Sequence, residues 1–230
     1  MKKKRHFLFI AMSILLSIAA TAQDCNLYSM KEGSVFAYQN LDGKGKVTGS
    51  ARTTCKSVES VGSATVMKLL SEYADAKNSN QTTRELTIRC EDGKFFLDMQ
   101  NFLDPKSMEA FKGTEVTVDG AAMIYPSNLA VGQTLDDANV TVAAASGGMS
   151  FLSMTITITN RKVVGTETIT VPAGTFECYK ITYDIETKMM VKITGAVTEY
   201  VNMGAGSVRT DTYDKKGKLA GSTVLSELKL

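Results

Sequence analysis

The chain is 230 residues long, 43% hydrophobic and 22% charged, with one histidine, no tryptophan and a formal charge of +2. His6 and four of the cations lie within the first 22 residues, which read as an export signal; the other 208 residues carry 22 basic and 24 acidic groups, a charge near −2. This excludes a basic footprint for nucleic acid, and it leaves no imidazole for a Ser-His or Cys-His nucleophile, a general base or a metal site.

The signal has three parts. Lys2, Lys3, Lys4 and Arg5 form the charged start, Phe7 to Ala20 the apolar run, and Ala20-Thr21-Ala22 an Ala-x-Ala cleavage site, so the mature chain is expected to begin at Gln23. The apolar run is too short to span a bilayer, which takes roughly 20 apolar residues, and no later segment approaches that length. Cys25 invites a lipoprotein reading, but Ala22, Gln23 and Asp24 do not resemble the small apolar residues of a lipid-attachment site, so ordinary cleavage is preferred. Periplasmic or secreted localisation in a bacterial envelope follows as the expectation.

Beyond the signal, the hydrophobic pattern has a period of two. Strands are expected over 34–39, 46–58, 64–73, 82–90, 94–99, 114–118, 138–144, 155–159, 176–185, 191–200, 206–213 and 219–228. Over 64–73, Val66, Leu69, Leu70 and Tyr73 would also suit a helix face, but a repeat favours strand. Tyr38 precedes Asn40-Leu41-Asp42-Gly43-Lys44-Gly45-Lys46, and Tyr213 precedes Asp214-Lys215-Lys216-Gly217-Lys218. Tyr73 opens a looser version through Asp75, Lys77 and Asn78. Each is a strand ending in Tyr, a polar turn and a returning strand, the mark of a hairpin meander. The lysine-rich tips read as solvated turns. Between the late strands, Val171-Pro172-Ala173-Gly174 is a turn.

One helix is expected over 105–112, capped by Asp104, with Pro105 at its first position and Met108 and Phe111 on its apolar face. Tyr125 to Gln133 is the best internal boundary, and Ala143 to Gly148 reads as a loop or weak edge. The organisation is then a single all-β domain over 23–230, with two sheet halves meeting near 119–137.

Four cysteines, Cys25, Cys55, Cys90 and Cys178, are disulfide candidates with three pairings open, and buried free thiols are the second reading. Asp136-Asp137 with Asn139 lacks the ligand alternation of a calcium loop and reads as a turn. No metal site, cofactor motif or phosphate loop emerges. A carboxylate glycosidase needs no histidine, but the absence of tryptophan removes its usual sugar platform. The ten methionines left after the signal are ordinary core fillers before they are a pocket lining, and Met189 and Met190 are expected to face opposite ways on a strand.

Several segments together resemble one family. Asp24-Cys25 followed by Lys31-Glu32-Gly33 and Tyr38, the run Thr170-Val171-Pro172-Ala173-Gly174-Thr175-Phe176-Glu177-Cys178-Tyr179-Lys180-Ile181, and Gly204-Ala205-Gly206-Ser207-Val208 leading to Tyr213-Asp214 look like the TapB-like group. These are exported bacterial β proteins related to a domain-of-unknown-function family, and the resemblance covers the whole mature chain. It implies a mainly β, antiparallel fold, an open or half barrel similar to lipocalin-like and lipoprotein-carrier folds. It supplies no activity and no catalytic residues.

The expectation is therefore a non-enzymatic envelope binding protein with no cofactor. Its apolar concavity would be lined by Phe102, Met108, Phe111, Tyr179, Ile181 and Tyr183, and its ligand would be a lipid or small apolar molecule. The rival is a structural or protein-interaction module with an envelope protein as partner. A histidine-free carboxylate hydrolase is the remote third.

Overall fold

The computed structural model describes residues 25, 27–79, 81–98, 115–146 and 149–230. The expected helix over 105–112, with Phe102, Met108 and Phe111, lies outside the described residues. Among those described there is no helix, and thirteen antiparallel strands form one sheet.

The first five strands are β1 (Val35–Asp42), β2 (Val47–Val61), β3 (Ala64–Asp75), β4 (Gln81–Glu91) and β5 (Lys94–Leu97). The crossing follows with β6 (Glu115–Ala121) and β7 (Met123–Pro126). Two long hairpins come next, β8 (Ala138–Ser146) with β9 (Met149–Val171), and β10 (Gly174–Lys188) with β11 (Lys192–Asn202). The chain ends in β12 (Gly206–Asp214) and β13 (Leu219–Lys229).

Their order in the sheet is β6-β8-β9-β10-β11-β12-β13-β1-β2-β3-β4-β5-β7. The two edge strands, β6 and β7, are consecutive in the chain and separated by Ala122 alone. A sheet whose edges are joined by one residue must curl until they meet. The result is a nearly closed barrel with a seam along β6 and β7.

The three Tyr-turn repeats form one kind of turn. Asp42 accepts backbone N–H groups from Lys44 and Lys46, both at 2.9 Å. Asp75 does the same for Lys77 (3.1 Å) and Ser79 (2.8 Å), and Asp214 for Lys216 (2.8 Å) and Lys218 (3.0 Å). Three residues after each Asp the backbone is left-handed, at Gly45, Asn78 and Gly217. Glycine has no Cβ to clash there, and asparagine tolerates the region better than most residues. The loosest repeat is thus built like the other two. It brings β3 and β4 into register, so 64–73 is a strand in which Met67, Leu69 and Ser71 alternate inward.

Three segments depart from the sequence reading. Tyr125 and Pro126, expected at a boundary, belong to β7. Ala143 to Ser146 continues β8, because it is paired on one side to β9 and on the other to β6, with Val142 and Ala144 fully buried. β9 is one strand of 23 residues where only 155–159 was distinctive, and it bends at register shifts against β8 and β10.

The main core fills the barrel between β2–β5 and β7–β11, around Met67, Phe95, Met123, Val140, Ile158 and Val163. A second, smaller core forms where the β9–β10 turn folds back on β13, Ala173 N–H donating to Leu225 O at 3.3 Å; Phe36, Ile169, Cys178, Val208 and Leu225 fill it. Tyr28 joins the two cores, edge-on to Phe36 at 5.6 Å and to Phe95 at 6.1 Å.

The N-terminal segment is held at that junction. Ser29 N–H donates to Gly204 O at 2.8 Å and Gly204 N–H to Leu27 O at 3.1 Å. A Cβ on Gly206, which has φ +71°, would fall on the Tyr28 ring. Gly204-Ala205-Gly206 is therefore a close-packing site between backbone and ring.

Of the four cysteines, Cys25 pairs with Cys90 and bolts this segment to β4. Cys55 and Cys178 are buried free thiols, so only half of the disulfide candidates are used. The reason is spatial: Cys55 sits in the main core and Cys178 in the second.

Candidate functional site

The barrel interior holds an unusual charged group. Arg161, from the middle of β9, is fully buried. Its Nη1 donates to Ile124 O of β7 at 3.0 Å and to Asp136 O, just before β8, at 2.8 Å. Its guanidinium lies 4.7 Å from the centre of the Tyr125 ring. Nε and Nη2 have no hydrogen-bond partner among the described residues.

Opposite, Glu199 of β11 is buried, and its Oε2 accepts the Tyr125 hydroxyl at 2.7 Å. Burial pushes the Glu199 carboxyl up, and the Tyr125 hydrogen bond and the Arg161 charge only partly oppose this. Tyr28, Tyr38, Tyr125 and Tyr183 all have hydroxyls raised by burial, and the Glu199 charge adds to each shift. Tyr38 donates to Ser207 O at 3.1 Å. Tyr125 thus links β7 to β11 through Glu199 and to β9 through Arg161. Among the described residues no group of three metal-ligating side chains forms.

The sign of the Glu199 shift gives a test. Below the carboxyl's unfolded pKa both states are protonated and the group is neutral to stability. As pH rises above it, the unfolded chain ionises first, so stability falls until pH passes the raised folded pKa. Asp42 and Asp214 act in reverse: backbone N–H groups hold them below the usual range, and they lose stabilisation as pH falls. Glu199→Gln keeps an acceptor for Tyr125. It should flatten the fall in urea midpoint as pH rises above the ordinary carboxyl range and leave the acid limb intact. Superimposable profiles for the two proteins would show that Glu199 does not titrate as its burial requires.

Beside this cluster is an apolar groove of 130 Å³. Tyr28, Phe36 and Tyr38 form one wall, and Leu69, Leu86 and Leu97 another. The volume is close to the roughly 150 Å³ of an apolar cavity that accepts benzene. A second cleft of 390 Å³ opens at the seam between Arg89 and Phe96 on one edge and Val118 and Asp119 on the other. Arg89 is spoken for: it pairs with Glu91 and lies 4.2 Å from the centre of the Phe96 ring.

The residues singled out in β10 are all placed. Ile181 is fully buried, Tyr183 is buried and Tyr179 half-buried, packed in or against the main core. None of the three lines the groove or the seam cleft. Sequence reasoning missed Arg161 and Glu199, which stand among alternating polar residues of β9 and β11. The one available signal was a charge at an inward position of the period-two pattern: Glu199 shares a face with Val197 and Val201.

These parts define an all-β protein: a nearly closed antiparallel barrel with a buried polar cluster and an adjoining apolar groove. The chain belongs to the DUF3108-like family, whose profile matches residues 31–225. Its fold is similar to that of an exported protein with a YmcC-like fold from Bacteroides fragilis, at 23% identity and a TM-score of 0.74 over 89% of this chain and 99% of that one. It is similar also to a lipoprotein from Parabacteroides distasonis, at 28% identity and a TM-score of 0.73 over 90% of this chain and all of that one. No curated protein matches the chain.

Proposed function

We propose that the chain is an exported, non-enzymatic binding protein of the bacterial cell envelope. In this reading it is periplasmic or secreted and holds a lipid segment or small apolar molecule in the groove beside Glu199. The observation that carries the reading is the groove itself: its walls are apolar, and Leu86 and Leu97 stay partly exposed along it. An apolar ligand there would bind by surface burial, with the tyrosine edges fixing its depth.

The relatives described as exported or as lipoproteins support an envelope location. Within the DUF3108-like family we place the chain in the TapB-like group, on Pro172-Ala173-Gly174-Thr175-Phe176-Glu177-Cys178. The thiol of Cys25 is taken by Cys90, which favours ordinary cleavage before Gln23 over lipid attachment at Cys25.

Native mass spectrometry of residues 23–230, exported to a bacterial periplasm and purified without detergent, tests the ligand. A reproducible adduct that extracts as lipid or small metabolite, and that is lost in Leu86→Trp, is expected. A clean apo mass after incubation with envelope lipid extract would end the carrier reading and favour an envelope protein as partner.

A further inference from the structure

The antiparallel order places the turns after β1, β3, β10 and β12 at one end of the barrel, where β5 ends and β8 passes into β9 as well. The four turns named first carry the lysines of this end. Three are the Asp-capped turns. They carry Lys44 and Lys46, Lys77, and Lys215, Lys216 and Lys218, all exposed.

The fourth turn is of a different kind. The β10–β11 tip reads Lys188-Met189-Met190-Val191-Lys192-Ile193, and its apolar side chains face solvent: Met190 is 91% exposed, Val191 71%, Ile193 67% and Met189 43%. Both methionines are exposed at the bend; neither sits in the regular strand that was expected to turn them to opposite faces. On one side three residues of β11 run beyond its last pair with β12, Gly195↔Asp214; on the other, β9 runs six residues beyond Thr155, its pair with Lys188, alongside β8.

A contiguous exposed apolar apex is uncommon on a soluble protein, and single scattered side chains would not need explaining. Charge says what it meets. Lys188 and Lys192 flank the tip, and the three Asp-capped turns bring six more lysines to the same end. Acids share this end: Asp42, Asp75 and Asp214 turn their carboxylates onto their own turns, Glu186 pairs with Lys192 at 2.6 Å, Asp184 accepts from Asn160 at 2.7 Å, and Asp98 is exposed after β5, so the described lysines outnumber the acids. The opposite end leans acidic, with Glu32, Glu91, Asp92, Asp136 and Asp137 against Lys31, Lys94 and Lys229. An exposed apolar tip at a lysine-rich end fits an anionic, penetrable surface better than a protein pocket.

We infer that this end docks on an anionic phospholipid bilayer: the Met189–Ile193 apex enters the headgroup–acyl boundary and the lysines of the flanking turns contact lipid phosphates. The inference is independent of whether the groove holds a ligand.

The test is flotation of residues 23–230 with vesicles of phosphatidylcholine alone and of phosphatidylcholine mixed with phosphatidylglycerol. Binding to the mixed vesicles only, weakened by salt, is expected. Met190→Asp/Val191→Asp and Lys215→Glu/Lys216→Glu should each weaken it at least tenfold. Both pairs are solvent-exposed, so unchanged urea midpoints will show that the fold is kept. Because the protein has no tryptophan, Val191→Trp supplies a sole fluorophore that should shift to the blue on mixed vesicles. No binding to mixed vesicles, equal binding by the apex variant, an unshifted Val191→Trp spectrum, or pull-down of an envelope protein without vesicle binding would each overturn the inference.

Discussion

Arg161→Ala should lower the unfolding free energy by about 3–5 kcal/mol, the cost of opening a buried polar network together with a core cavity. Arg161 is fully buried, and one nitrogen supplies hydrogen bonds to both Ile124 O and Asp136 O. These carbonyls belong to β7, an edge of the sheet, and to the residue pair before β8, so the side chain staples the seam from inside. Truncation leaves both acceptors unpaired, takes the cation from the face of Tyr125 and leaves Glu199 without its buried counter-charge. Arg161→Met restores most of the volume but no donor. It should cost less, about 1–3 kcal/mol, the penalty for buried acceptors without partners. Urea unfolding of the two variants separates packing from hydrogen bonding, and amide exchange over Met123–Pro126 should speed up in both. A loss under 1 kcal/mol in Arg161→Ala would mean that the seam closes without it.

The second large effect is expected from the Cys25–Cys90 bridge. It closes a loop with a sequence separation of 65, and loop-closure entropy then puts its contribution at about 4 kcal/mol, with strain and residual structure reducing what is measured. The bond holds the segment that brings Tyr28 between the two cores and against Gly206, so reduction should also loosen the junction with β11 and β12. Cys90→Ser or reductant should lower the thermal midpoint markedly. Thiol titration checks the pairing: no reactive thiol in the native protein, two in denaturant, and four in denaturant after reduction. The two free thiols are shielded by burial, which pushes Cys178 up to about 11 and raises Cys55 too. A native thiol that reacts at once would contradict the arrangement.

The local parts of this structure were legible because their causes are local. Alternating β-branched residues make strands wherever one face is buried, and Asp42, Asp75 and Asp214 with Gly45, Asn78 and Gly217 define turns within five residues. Even the ambiguous 64–73 segment was settled by its turn. β7 escaped because four residues around Pro126 carry no period, and the full length of β9 escaped because its bends interrupt the alternation.

What the amino-acid sequence determined alone is an antiparallel meander of hairpins and the absence of histidine beyond His6. The tertiary structure decided which distant groups meet. It joined β6 to β7 as the two edges of one sheet, bridged Cys25 to Cys90 while leaving Cys55 and Cys178 as free thiols, and turned Arg161 and Glu199 inward around Tyr125. It also brought lysines from four separate turns to the end that carries the apolar tip. Hydrogen bonding between neighbouring residues is readable along a chain. Closure is not, because the curvature that brings the edges together is summed over thirteen strands and belongs to none of them.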